Sequence, residues 1–287
     1  MVSEFAPSKI NLSLHITGRD CNGYHLLDSL VVFADIGDHI SARLAPEFSL
    51  TIGGAQAEGL SSGPDNLVWR AANLMLKNDD TTRLAPRHMA LHLEKTLPVA
   101  SGIGGGSADA AATLRLLAHL WSSPLPALAD IAELGADVPV CMSSVPQRMQ
   151  GIGARTSVLR TLLPKLGVLL INPKQALSTA AVFRALARRE NNPMPQNLPH
   201  HESAGALCAF LRHMRNDLQP AATLILPDIT QVLQALLGEK YCLFARMSGS
   251  GATCFGLFAD VIQAHAAADR LARRAPDWWV RAGRILT

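Results

Sequence analysis

Pro98-Val99-Ala100-Ser101-Gly102-Ile103-Gly104-Gly105-Gly106-Ser107-Ala108-Asp109 is the stretch that decides how this 287-residue chain is read. Four glycines in five residues remove side chains, so backbone N–H groups can approach an anion closely. Before it, Met89, Leu91 and Leu93 alternate with other residues and predict a strand. After it, an alanine-rich stretch predicts a helix from Ser107 to about Trp121. The free N–H groups and the dipole at a helix start also favour negative charge, and Ser107 adds a hydroxyl. The element reads as a phosphate cradle. It is not a Walker A loop, which needs Gly-Lys followed by Ser or Thr, because it holds no lysine. Nor is it a dinucleotide fingerprint, since Ser107 stands where the third glycine belongs.

Upstream, Ile10, Leu12, Leu14 and Ile16 alternate with Asn11, Ser13 and His15. Period two predicts a strand with one buried face, and Lys9 and Asn11 then point away from it. Segments 30–36 and 39–44 predict two more strands, joined by a hairpin turn at Gly37-Asp38. Asp65-Asn66 are capping residues for a helix running to about Lys77, with Leu67, Ala71, Leu74 and Met75 on one face.

Downstream, a short helix over 125–134 is expected to end at Gly135. Residues 190–202 carry three prolines and three asparagines and read as a loop or linker. Helical patterning then runs to Leu237. Strands over 242–247 and 253–258 flank Ser248-Gly249-Ser250-Gly251, which by itself reads as a tight hairpin. A helix over 260–274 and a strand over 278–284 close the chain. Strands and helices mix without regular alternation, so the fold class expected is α+β. The expected domain division falls within 155–167 and is set at 1–160 and 161–287.

Composition narrows the classes. Hydrophobic residues make up 48% and charged residues 17%, which excludes disorder as the ground state. A net charge of +3 and 5% aromatic residues give no footing for a nucleic-acid binder. The longest apolar candidate, 224–237, is broken by Pro227 and Asp228, so no membrane span is expected. The beginning Met1-Val2-Ser3-Glu4-Phe5-Ala6-Pro7 has neither the basic start nor the apolar stretch of a signal peptide. Five cysteines without Cys-x-x-Cys spacing read as reduced thiols, and a cytoplasmic location is the expectation.

Two further positions draw notice. Lys9 opens a predicted strand, where a lysine is ordinarily solvated. Asp137 stands between a helix-ending glycine and the apolar Val138-Pro139-Val140, where a carboxylate needs a partner or a role. Its alternative is a turn aspartate satisfied by backbone N–H groups. Histidines offer no metal site: His88 and His92 would lie about 13 Å apart on a strand. No His-Glu-x-x-His or Gly-x-Ser-x-Gly is present.

Taken together, three blocks resemble the GHMP small-molecule kinases. The first is Ala6-Pro7-Ser8-Lys9-Ile10-Asn11-Leu12 with Gly23-Tyr24-His25. The second is the glycine loop with Gly135-Ala136-Asp137-Val138-Pro139, and the third is Met247-Ser248-Gly249-Ser250-Gly251-Ala252-Thr253. Asp65-Asn66-Leu67, Ser178-Thr179 before Phe183, and Asn216-Asp217-Leu218 are smaller matches, in the family's order across nearly the whole chain.

The resemblance implies an N-terminal ATP-binding domain like ribosomal protein S5 domain 2, followed by a C-terminal GHMP domain. It implies an ATP-dependent phosphotransferase assisted by Mg²⁺, whose acceptor is the 2-hydroxyl of a methylerythritol carried on cytidine diphosphate, in non-mevalonate isoprenoid precursor synthesis. By that likeness Asp137 acts as general base and Lys9 orients it and stabilises developing charge. Pro98, Gly102, Ile103, Gly104, Gly105, Gly106 and Ser107 hold ATP, with the base near Asn66. Asn11 holds the acceptor, His25 bonds the cytosine, Tyr24 and Phe183 stack on it, and Thr179 completes the substrate site. No protein metal ligand is implied, and the assembly is a monomer or homodimer. A carboxylate is a weak base for an alcohol, so late proton transfer and a purely orienting role for Asp137 both stay open.

Three positions depart from the family pattern: Asn22 for an aspartate, Val140-Cys141 for an aromatic pair, and Ala154 for a glutamate. A GHMP kinase for another small alcohol is the nearer rival, opposed by Gly23-Tyr24-His25. A non-catalytic nucleotide-binding protein is the other, opposed by Lys9 and Asp137 together.

Overall fold

The computed structural model describes residues 1–21, 23–78, 88–153, 155–159 and 163–287. Asn22 and Ala154 lie outside the described residues. Strands β1 (Val2–Arg19), β2 (His25–Leu44) and β3 (Ser49–Gly53) open the chain, followed by α1 (Leu67–Asn78), β4 (Met89–Glu94) and α2 (Gly105–Trp121). Short helices α3 (Leu128–Leu134) and α4 (Val138–Cys141) lead to β5 (Gln147–Gly151), β6 (Arg155–Val158) and β7 (Gly167–Asn172). Then come α5 (Thr179–Arg184), α6 (Ala204–Arg212), α7 (Gln219–Ile225) and α8 (Asp228–Leu237). The pair β8 (Phe244–Met247) and β9 (Cys254–Phe258), helix α9 (Val261–Arg274) and strand β10 (Trp279–Leu286) complete it.

Two compact units arise from interleaved segments: Met1–Ser8, Gly37–Val99 and Gly104–Ser143 form the first, and Lys9–Ile36, Ala100–Ile103 and Ser144–Thr287 the second. In the first, β4 lies between β3, parallel to it, and residues 39–44 of β2, antiparallel to it. Met89, Leu91 and Leu93 of β4 are buried, as their alternation predicts. Val68, Ala71, Ala72 and Met75 of α1 and Ala108, Ala110, Ala111 and Leu114 of α2 join that core. Alanines on both helices let α1 and α2 pack closely. Helix α3 ends at Leu134, but Gly135 is extended (φ 162°) rather than left-handed. Its carbonyl accepts from Val138 N at 3.0 Å, which turns the chain straight into α4.

In the second unit β10 pairs with β7, β7 with β9, and β9 with β8, all antiparallel. Strand β7, Gly-Val-Leu-Leu-Ile-Asn, is buried along its full length. The run of apolar residues suits a strand covered on both faces. Ile229 and Val232 of α8, Ala264, Ala267 and Leu271 of α9, and Leu169, Ile171 and Phe258 of the sheet share one core. Strands β5 and β6, with β5 also pairing with residues 27–31 of β2, are elements that the sequence pattern did not reveal. Among the described residues no single helix is long and apolar enough to cross a membrane.

Two expectations are corrected. There is no hairpin at Gly37-Asp38: β2 is one 20-residue strand. Asp38 faces inward instead, and its Oδ1 accepts from Thr96 N (2.6 Å) and Leu97 N (2.8 Å), which satisfies a polar residue inside a strand. The polar face of β1 is not solvated either, for Asn11, Ser13 and His15 are buried. The loop 190–202 accounts for part of this: Asn192 O bonds His15 Nδ1 (3.1 Å) and Met194 Sδ receives the Ser13 hydroxyl. Met194 N in turn donates to Asp28 Oδ2 at 2.9 Å, so this loop is fastened down rather than a loose linker.

Candidate active site

In the first unit the glycine loop becomes a helix sooner than its sequence suggests. Gly104 is left-handed (φ 64°, ψ 22°) and is the N-cap of α2, so Gly105 and Gly106 form the first turn. Only glycine enters that conformation at little cost. No side chain caps the helix start, and its first N–H groups have no intrahelical acceptor. Ala108 N to Gly104 O, at 2.8 Å, is the first helical bond. Gly106 is exposed, Ser107 half-buried and Pro98 buried. An uncapped start of a 17-residue helix, edged by a hydroxyl, is suited to an anion.

Asn66 caps α1 as predicted: its Oδ1 accepts from Val68 N at 2.9 Å, and its Nδ2 donates to Ser61 O at 2.8 Å. One amide hydrogen is left for a ligand. Asp137 is half-buried at the N-cap position of α4, with no cap bond from its side chain.

Behind the start of α2 lies a group that the sequence reading passed over. Lys95 is buried, and its Nζ donates to Asp38 Oδ2 and Asp109 Oδ2, each at 2.6 Å. Burial pushes the Asp109 carboxyl up to about 7; Lys95 opposes that shift and Asp38 adds to it. The Lys95 ammonium is held above its usual range by the two carboxylates, which outweigh its burial.

In the second unit Lys9 is buried, 3% exposed, which corrects the expectation of a solvated lysine. Its Nζ donates to Asn11 Oδ1 at 3.0 Å. Asn11 Nδ2 donates to Ser29 Oγ (2.7 Å), and Ser29 Oγ to Ser13 O (2.6 Å). This chain of donors sets the amide of Asn11 with its oxygen toward the ammonium. Ser248 ties the third block to it, accepting from Asn11 N (3.1 Å) and donating to Gly102 O (2.9 Å). Gly102 is left-handed (φ 77°), and a Cβ there would lie 2.5 Å from Ser248 O. Lys9 N donates to Ile103 O at 2.9 Å. The turn 248–251 is thus the hairpin expected and also a brace: Asn216 Nδ2 donates to Met247 O (2.8 Å) and Gly249 O (2.9 Å).

The aromatic residues sit elsewhere in that unit. His25 stacks on Phe183, ring centroids 4.9 Å apart and planes 25° apart. Tyr24 is 67% exposed. Burial, then Arg19 and Arg189, hold His25 below the usual histidine range, which leaves the ring neutral at neutral pH. Its Nδ1 is buried without a hydrogen-bond partner, an atom that a ligand could satisfy. Thr179 opens α5, and its hydroxyl is 2.8 Å from Ser250 Oγ.

Comparison with known proteins fits this arrangement of blocks. Residues 66–149 match the GHMP kinases N terminal domain and residues 197–278 the GHMP kinases C terminal domain. The 4-diphosphocytidyl-2-C-methyl-D-erythritol kinase of Cereibacter sphaeroides is 51% identical over 285 residues, 99% of each chain. The same-named kinase of Paracoccus denitrificans is 53% identical over 279 residues, 97% of this chain and 95% of that one. Among solved structures, a 4-(cytidine 5'-diphospho)-2C-methyl-D-erythritol kinase superposes with a TM-score of 0.77 at 27% identity over the whole of both chains. The homoserine kinase of Cytophaga hutchinsonii, at 16% identity and a TM-score of 0.66, shares the fold. The α+β architecture is that of the GHMP kinases, and the chain belongs to the 4-diphosphocytidyl-2-C-methyl-D-erythritol kinase family among them.

Proposed function

We propose that the chain transfers the γ-phosphoryl group of ATP to the 2-hydroxyl of 4-diphosphocytidyl-2-C-methyl-D-erythritol, giving the 2-phosphate and ADP, in non-mevalonate isoprenoid precursor synthesis. The observation that carries this reading is the full-length likeness, at 51% identity, to a kinase of that name. The uncapped glycine start of α2 supports it physically.

In this reading the ATP phosphates lie on residues 102–107, with Pro98 beside them and the base near Asn66. Phosphoryl transfer asks of a protein mainly alignment and stabilisation of negative charge. The bond from the γ-phosphorus to the ADP oxygen breaks, a bond to the acceptor oxygen forms, and the hydroxyl proton passes to the Asp137 carboxylate. Lys9, a buried ammonium held by Asn11, stabilises the developing charge. Asn11 holds the acceptor. The neutral ring of His25, with Nδ1 unpartnered, suits a hydrogen bond to a cytosine edge. Phe183 and Tyr24 offer ring faces to that base, and Thr179 lies at the substrate. When bound, Mg²⁺ neutralises phosphate charge; it commonly keeps several waters and is held largely by substrate phosphates. Because substrate phosphates supply most of its ligands, the nucleotide would carry it into the site.

We propose the cut between 160 and 161 as the boundary of the two family domains. It falls between the matched regions, which end at 149 and begin at 197. A cytoplasmic location and a monomer or homodimer complete the proposal, and light scattering reads the latter.

ADP release with magnesium ATP tests the function, with mevalonate and homoserine as control acceptors. Turnover is expected with the cytidyl substrate alone. Asp137→Asn is expected to lower kcat at least about a hundredfold if the carboxylate is a general base, with ATP binding retained. Turnover with a control alcohol instead would overturn the substrate assignment.

A further inference from the structure

Two buried carboxylates share one ammonium at Lys95, so with both ionised the cluster holds an excess negative charge. Each Oδ2 lies 2.6 Å from Nζ, which puts the two no more than twice that distance apart. The Oδ1 of Asp109 is buried without a hydrogen-bond partner. Two carboxylates this close in a dry interior ionise together only at a cost, and one of them then retains a proton. A proton on Asp109 would also give its acid group a hydrogen bond to Asp38.

The cluster is placed against the first turn of α2. A Cβ on Gly105 would come within 3.1 Å of Lys95 Nζ, and Asp109 is one turn further along the same helix. Other charged groups of the surrounding elements are engaged or directed elsewhere. His39 on β2, Glu94 on β4 and Arg70 and Lys77 on α1 are exposed, and His119 on α2 is exposed as well. Arg115 of α2 pairs with Glu4, and Arg70 donates to Glu133 O. Asp137 stands before α4. The charges that act on Asp109 are Lys95 and Asp38.

We propose that Lys95, Asp38 and Asp109 are positioning residues that make nucleotide binding proton-linked: phosphate arriving on the first turn of α2 draws a proton onto the buried carboxylate pair, with Asp109 as the group that takes it. The inference rests on the reading that ATP phosphates occupy that helix start. Negative charge on a ligand and negative charge in the cluster oppose each other through a low-dielectric layer. Linkage then requires that binding raise the proton occupancy of the cluster. The ionised cluster disfavours the nucleotide; the protonated one, neutral overall, does not. The partial rise of the Asp109 carboxyl to about 7 puts the change within the working range of pH.

The test measures the Kd of magnesium ADP and magnesium ATP from pH 6 to 8.5 for the wild type and Asp109→Asn. The nucleotide's own titration is common to both proteins and cancels in the ratio. The wild-type Kd is expected to rise about tenfold relative to the variant across that range, equivalent to one pKa unit of coupling. A ratio that stays constant overturns the proposal. Should Asp109→Asn fail to fold, calorimetry of the wild type at pH 7.5 in buffers of different ionisation enthalpy reads the protons directly. Net uptake is expected, whereas a phosphate moving onto a helix start by itself sheds protons. Absence of uptake overturns the linkage. A folded wild type that binds no nucleotide at any pH overturns the functional reading, and this inference falls with it.

Discussion

Lys95 follows Met89, Leu91 and Leu93 at the same spacing of two, so its position on the buried side was written in the phase of β4. Charge alone suggested solvent, and its two acidic partners come from 57 residues upstream and 14 downstream. Lys9 teaches the same lesson in the second unit. A strand pattern gives the side on which a residue lies, while coverage of that side depends on what packs there. Ser29 has no signal of its own in sequence, yet it fixes the amide of Asn11 through bonds of 2.7 and 2.6 Å. Removing one partner of such a buried pair costs about 1–3 kcal/mol. Ser29→Ala is therefore expected to lower kcat about tenfold with the KM for ATP unchanged, and Ser29→Thr to restore most of the loss. A Ser29→Ala enzyme with wild-type kcat would show that Asn11 holds its orientation without the serine.

Among the elements, two helix starts were legible, that of α1 at Asn66 and that of α9 at Asp260, whereas the cap of α6 was not singled out. Asp260 and Ser203 cap α9 and α6, accepting from Gln263 N (2.8 Å) and Ala206 N (3.2 Å). Asp260→Ala is expected to lower unfolding stability by about 1 kcal/mol in urea titration, leaving turnover unaltered. The glycine loop behaves differently, since the close approach of Ser248 O to Gly102 is set by a turn 146 residues away. Gly102→Ala would bring a Cβ against that backbone oxygen in a left-handed conformation. It is expected to destabilise by about 1–3 kcal/mol, in the manner of other overpacked sites, and to raise the KM for ATP. An alanine variant with unchanged stability would mean that the turn moves aside at little cost.

Across the whole molecule, the buried carboxyl of Asp109 leaves a mark on stability. Its acidity in the folded state is weakened, up to about 7, while in the unfolded chain it returns to an ordinary carboxylate value near 3.9. Between about pH 4 and 7 the folded form thus binds the proton more tightly than the unfolded form does. Linkage then makes this group's contribution fall as pH rises through that window. Chemical denaturation at pH 5, 6 and 7 is expected to show a less negative slope with pH for Asp109→Asn than for the wild type. Equal slopes would mean that the carboxyl is not held protonated in the folded state.

The sequence by itself determined the alternating strand 89–94, the alanine helix behind the glycine loop, the pair β8 and β9, the α+β class and the family's three blocks. These depend on periodicity, caps and turn chemistry, which act over a few neighbouring residues. Only the tertiary structure decided that β2 runs unbroken through Gly37 and Asp38 and that the polar face of β1 is covered. The same holds for the placement of Lys95, whose ammonium lies between two acids and behind Gly105. The physical reason is that burial of a polar group becomes tolerable only when partners distant along the chain are brought within hydrogen-bond reach.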